Sequence, residues 1–188
     1  MSRNLIVTAN GPTDAPIRRR RRGLVSSPET RPLTGGNHEM THAAVVELLR
    51  RNVVPEEYAE IRELWKAHSL AEDARNIEGL IATLTPDCVY ELPQSGHRWA
   101  GHDGATRFYT ELLGAFPDIE FNLTNIIIGP QGVCEEAAVT GTHRVTWLDM
   151  APTGKRVNFN VIIFFPWDDA RKKFKGERMF YYGLHDET

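Results

Sequence analysis

Two long runs rich in β-branched and aromatic residues dominate the second half of the chain. They are VCEEAAVTGTHRVTWLDM, starting at Val133, and KRVNFNVIIFFP, ending at Pro166, joined by APTG. Alternation puts Val139, Gly141, His143, Val145 and Trp147 on one face of the first run. In the second, Asn158, Asn160, Ile162 and Phe164 share a face. With Pro152 and Gly154 as turn residues, the two runs read as antiparallel strands of one hairpin. A face that mixes apolar bulk with a few polar tips suits a sheet lining a partly apolar pocket.

Upstream the period changes from two to 3.6. AAVVELLRR from Ala43 reads as a short helix, and Pro55 with Glu56 and Glu57 as the start of a longer one. Tyr58, Ile61, Leu64, Trp65 and His68 follow at helical spacing. A further helix is expected from about Asp73 to Leu84, ended by Pro86. CVYEL and HRWAG then form a small hairpin around QSG. A helix opening near His102 carries Phe108, Tyr109, Leu112 and Phe116 on its apolar stripe. A strand from Ile119 to Ile128 leads through GPQG into the central hairpin, and Phe174 to Tyr182 supplies the last strand. The expected fold is α+β, with helices gathered on one face of a curved antiparallel sheet.

Residues 1–41 lack periodicity and are rich in Pro, Gly, Ser, Thr and Arg, as expected of a disordered tail before a single domain at 42–188. Up to His42 there are seven Arg against three acids; the remaining 15 basic and 22 acidic residues make the domain acidic. That argues against a nucleic-acid-binding core, although Arg18–Arg22 would suit an anionic partner. No apolar run reaches the ~18 residues of a membrane span, and no secretory signal is apparent, so a cytoplasmic protein is expected. Cys88 and Cys134 read as buried free thiols; no metal, phosphate-loop or dinucleotide motif is present, and no cofactor is expected.

Several segments taken together resemble the SnoaL-like polyketide cyclase branch of the nuclear transport factor 2-like superfamily. They are ELWKAHSLAEDARNIEGLIATLTPDCVYE, WAGHDGATRFYTELLGAFPDI, VTGTHRVTW, APTGKRV and GERMFYY, spanning about Val54 to Tyr182. The resemblance implies a cone, with a curved sheet wrapped by three to four helices around one deep pocket and dimers formed through the sheet's outer surface. It does not imply one reaction. Where cyclases of this type carry an acid at the end of the last strand, this chain has Tyr182 or Gly183. Leu92 stands where the ketosteroid isomerase branch has an aspartate before a proline. Arg144 and Asp149 are spaced to opposite faces, unlike the epoxide hydrolase set.

His143 is the first candidate acid/base, since imidazole titrates near neutral pH; a buried histidine held by its neighbours is the alternative. Tyr182 is the candidate donor to a developing enolate. Asn158 and Asn160 face either the pocket, to bind a carbonyl, or an interface. Trp65, Tyr90, Trp99, Phe108 and Trp147 are candidate aromatic walls for a flat substrate. By alternation Glu91 and Glu177 point outward, and His185 and Asp186 lie near the pocket mouth. The expected function is cofactor-independent cyclisation or isomerisation of a hydrophobic carbonyl compound, polyketide-like or another natural product, by acid/base chemistry. The alternative is a binding or assembly module of the same fold.

Overall fold

The computed structural model describes residues 41–186, with side chains to residue 184; the arginine-rich segment lies outside them, as do the His185 and Asp186 side chains. The elements run α1 (His42–Arg50), α2 (Pro55–Asp73), α3 (Ile77–Ala82), β1 (Leu84–Leu92), β2 (His97–Ala100), α4 (Gly101–Ala115), β3 (Glu120–Gly129), β4 (Gly132–Thr142), β5 (Arg156–Asp168) and β6 (Lys173–Asp186). The strands form one sheet in the order β2-β1-β6-β5-β4-β3. β3 to β6 make the expected meander. β1 joins it parallel to β6, so the sheet is mixed rather than wholly antiparallel.

Local chemistry explains where the helices stop. α2 opens with Pro55, and Glu57 in its first turn accepts from Arg51 Nη2 at 2.6 Å and Trp167 Nε1 at 3.2 Å, which ties the helix start to β5. The helix expected from Asp73 begins later. Arg75 turns into the left-handed region at φ 54° and breaks the chain, and Asn76 then caps α3 by accepting from the Gly79 amide at 3.0 Å. Leu84 belongs to β1.

The first strand of the hairpin is shorter than expected. The His143 amide bonds the Lys155 carbonyl at 3.0 Å, and the Gly154 amide returns to the His143 carbonyl at 2.9 Å. Arg144 then donates its amide to the Ala115 carbonyl at 2.8 Å, drawing the chain away from the ladder and onto the end of α4. Trp147 and Met150 close a tight turn of their own.

Two registers decide which side chains face inward. Between β4 and β5, Val139 pairs with Phe159, Ala137 with Val161 and Glu135 with Ile163, all on the inner face. Their neighbours Thr140–Asn158, Ala138–Asn160 and Glu136–Ile162 therefore occupy the outer face. Between β5 and β6, Phe164 pairs with Arg178 but Trp167 with Phe174, so three residues on β5 oppose four on β6. Gly176 (φ 109°) sits in this bulge, where a Cβ would overlap the Val89 carbonyl. The extra residue turns Glu177, Met179 and Tyr181 inward, and Arg178 and Tyr182 outward. Ile61, Leu80, Tyr90, Tyr109 and Phe174, all fully buried, form the centre of the core between sheet and helices.

Candidate active site

The inner face of the sheet and α4 line a cavity of about 70 Å³. Phe108, Phe116, Phe121, Trp147, Phe159 and Tyr181 give it aromatic walls. Among its described lining residues only Glu72 and Glu177 carry charge.

Glu177 ends a chain of buried hydrogen bonds. The Thr83 hydroxyl donates to the Leu80 carbonyl at 2.7 Å, so toward His68 Nδ1, also at 2.7 Å, it acts as acceptor. That fixes a hydrogen on Nδ1. His68 Nε2 then lies 3.0 Å from Glu177 Oε1 and 3.0 Å from the Tyr109 hydroxyl. Tyr109 donates to the same Oε1 at 2.7 Å, and Tyr90, 3.1 Å from the Tyr109 oxygen, donates in turn. The contacts from Tyr109 and His68 both fall on Oε1, and Glu177 lines the cavity. Every member of this chain is buried.

So much carboxylate in an apolar interior shifts neighbouring protons. Burial, and then the Glu177 charge, push the Tyr90 and Tyr109 hydroxyls well above the usual phenol range. Glu135, inside on β4, accepts from Trp65 Nε1 at 2.7 Å, yet burial and the Glu177 charge lift it to about 7. Glu72 is raised well above the ordinary carboxyl range, chiefly by burial and then by Glu177 and Glu135.

Of the residues picked out by sequence, Phe108 and Trp147 line the cavity. Trp99 lies behind them, stacked parallel on Trp147 with centroids 6.4 Å apart. Tyr90 and Trp65 serve as polar partners of Tyr109 and Glu135 and are not walls. His143 is buried, but it stacks on the far side of Phe116 (4.9 Å between centroids), and its Nε2 has no hydrogen-bond partner. Three expectations of position need correction. Tyr182 is 45% exposed on the outer face, where its hydroxyl donates to Glu136. Asn158 and Asn160 lie on that face too, because the β4–β5 register pairs them with Thr140 and Ala138. Glu177, expected outside, is inside because of the Gly176 bulge. Glu91 does point outward, paired with Arg178 at 3.0 Å.

The family model for SnoaL-like polyketide cyclase matches residues 58–175. The chain belongs to this family. No curated protein matches it. Among solved structures, the SnoaL-like chain resembles one assigned as a SnoaL-like polyketide cyclase from Jannaschia sp. CCS1, at TM-score 0.58 and 19% identity, covering 70% of this chain and 90% of that one. AclR from Streptomyces galilaeus, assigned as a hydroxylase, gives 0.54 at 22% identity, covering 66% and 90%. The epoxide hydrolase/cyclase-like enzyme SalBIII, tied to pyran ring formation in the polyether salinomycin, gives 0.56 at 14%, covering 69% and 97%. At these identities the likeness establishes the cone-shaped α+β fold of the SnoaL-like protein. Among the described residues, no helix is long and apolar enough to cross a membrane.

Sequence reasoning passed over His68, Glu72 and Tyr109 as site residues. Ile61, Trp65, His68 and Glu72 follow one another at spacings of four, three and four, so one helical stripe carries them all. That stripe was the available signal.

Proposed function

We propose that this SnoaL-like protein is a cofactor-independent enzyme of cyclase or isomerase type that moves protons on a hydrophobic carbonyl compound. Glu177 is the proton-transfer group. The observation behind this is a buried carboxyl that lines an aromatic-walled cavity while Tyr109 and His68 anchor it through Oε1. A flat apolar substrate fits those walls, and the α-hydrogen of a ketone is what a positioned carboxylate in such a place removes. Cyclisation by carbon–carbon closure and double-bond isomerisation both begin with that step, and natural-product metabolism supplies such substrates.

Deuterium wash-in from D₂O at the α-carbon of a flat ketone, 2-acetylnaphthalene, tests the proposal without the natural substrate. Wild type should catalyse wash-in, and Glu177→Gln should lose roughly 10²–10⁴-fold of it. Absence of wash-in by wild type, or an unchanged rate in the variant, would overturn the assignment.

The outer face supports assembly as a homodimer through the sheet, with Ile162, exposed Phe164 and Tyr182 available for contact. Sedimentation of wild type against Phe164→Glu tests this; a monomeric wild type would refute it.

A further inference from the structure

The two cavity carboxyls stand in opposite circumstances. Glu177 Oε1 is held by Tyr109 and His68. Glu72 lines the same cavity, yet no hydrogen bond or ion pair reaches its carboxyl from any described residue. It lies in the last turn of α2, where the unpaired carbonyls and the negative end of the helix dipole oppose another negative charge. Glu72 is half-buried and also lines a polar groove with Asp73, Arg75, Glu120 and Arg156. The acids Glu177, Glu135 and Asp73 oppose its charge, and Arg75, whose exposed guanidinium donates to the Ile119 carbonyl at 3.2 Å, favours it. His68 lies beyond Glu177. Two ionised carboxylates in one apolar cavity repel, and the one with fewer compensating donors keeps a proton.

We propose that Glu72 is the general acid facing the Glu177 base, a protonated carboxyl that delivers its hydrogen to the substrate's carbonyl oxygen. This rests on the proton-transfer role of Glu177 and adds the partner that the step requires. Glu177 Oε2 takes the α-hydrogen as a proton. The C–H electron pair becomes the new C=C bond, and the carbonyl π pair moves onto oxygen, which takes the Glu72 proton. The product is a neutral enol, with Glu177 protonated and Glu72 ionised. Return of the proton to another carbon, as the enol hydroxyl gives its hydrogen back to Glu72, completes an isomerisation. Attack of the enol carbon on a second carbonyl, whose oxygen takes the proton held on Glu177 while the enol hydroxyl gives its hydrogen back to Glu72, completes a ring closure. No oxidant or further reactant is needed. The substrate class that follows is a ketone with at least one α-hydrogen, presenting its oxygen toward the C-terminal end of α2.

Two measurements test it. In a Glu135→Gln background, which removes the carboxyl lifted to about 7, the infrared band of a protonated carboxyl at pH 7 should disappear on Glu72→Gln; a spectrum with no such loss would overturn the proposal. In the 2-acetylnaphthalene assay, Glu72→Ala should lose roughly 10²–10³-fold of the wash-in. Glu72→Gln, which keeps a donor, should stay within about tenfold of wild type and should lack the wild-type decline at alkaline pH. A wild-type rate in Glu72→Ala, or an alkaline decline surviving in Glu72→Gln, would sink the role of Glu72 alone. Wash-in surviving in Glu177→Gln would sink the wider proposal instead.

Discussion

Glu135→Gln should make the protein more stable, by an amount that grows as pH rises from about 4.5 and levels off above about 7. Glu135 is 8% exposed, and its carboxyl is lifted from an ordinary value of 4.5 to about 7 by burial, with the Glu177 charge adding to it. A carboxyl whose pKa is raised by folding binds its proton more tightly in the native state. Stability is then greatest below the unfolded value and falls as pH rises toward about 7. A shift of about 2.5 units, at about 1.4 kcal/mol each, amounts to roughly 3 kcal/mol of stability lost by pH 8. Glutamine keeps the oxygen that accepts from Trp65 Nε1 and carries no charge at any pH. Denaturant unfolding of wild type and variant at pH 5 and pH 8 measures the effect. The two proteins should differ little at pH 5, and the variant should be more stable by roughly 3 kcal/mol at pH 8, on the order of 6–12 °C in Tm. An equal stability difference at both pH values would refute a buried, titrating Glu135.

Gly176→Ala should cost more than about 3 kcal/mol or prevent folding, since a Cβ at φ 109° overlaps the Val89 carbonyl; unfolding midpoints check this. Tyr109→Phe removes the donor to Glu177 Oε1 and strands the Tyr90 hydroxyl, and should destabilise by about 1–3 kcal/mol in denaturant titration, with slower deuterium wash-in. Tyr182→Phe should leave wash-in at the wild-type rate, because its hydroxyl lies on the outer face beside Glu136; a large loss would put the working group on the other side of the sheet.

The elements that build the core were legible because their apolar periods agree with their burial, whereas α1 buries nothing and Leu123 and Ile127 on β3 are exposed. Pro55 and its two acids marked the start of α2, and the stripe Phe108, Tyr109, Leu112 marked α4 well enough to place both helices. The parallel β1–β6 pair left no local trace, since pairing between residues 87 to 90 apart depends on packing that no nearby residue encodes. The SnoaL-like motifs located the family, whose model reaches from residue 58 to 175, but left the site open. Polar residues inside strands drew attention to Asn158, Asn160 and Tyr182, because amides and phenols among Val, Ile and Phe look purposeful. Polarity on a strand is silent about which face it occupies, and the β4–β5 register put the asparagines outside.

Reading Tyr182 as inward makes Glu177 outward; alternation between the two holds, and the bulge before them decides which one faces the interior. Alternation is reliable only while the ladder is regular, and one inserted residue inverts every assignment beyond it. Gly176 is that insertion. It is permitted because glycine alone tolerates both the backbone angle and the approach of Val89, and it converts an apparently solvated carboxylate into one bonded to Tyr109 and His68 in the interior. The site was therefore written in the sequence as a pair of features whose meaning is joint: a glycine inside a strand, and an acid immediately after it. Glu72 completes the pattern from the helical side, where it goes unremarked in the last turn of α2 although it continues the stripe of Ile61, Trp65 and His68. Each acid reaches the cavity through an irregularity or an end of its element, and regular periodicity hides both.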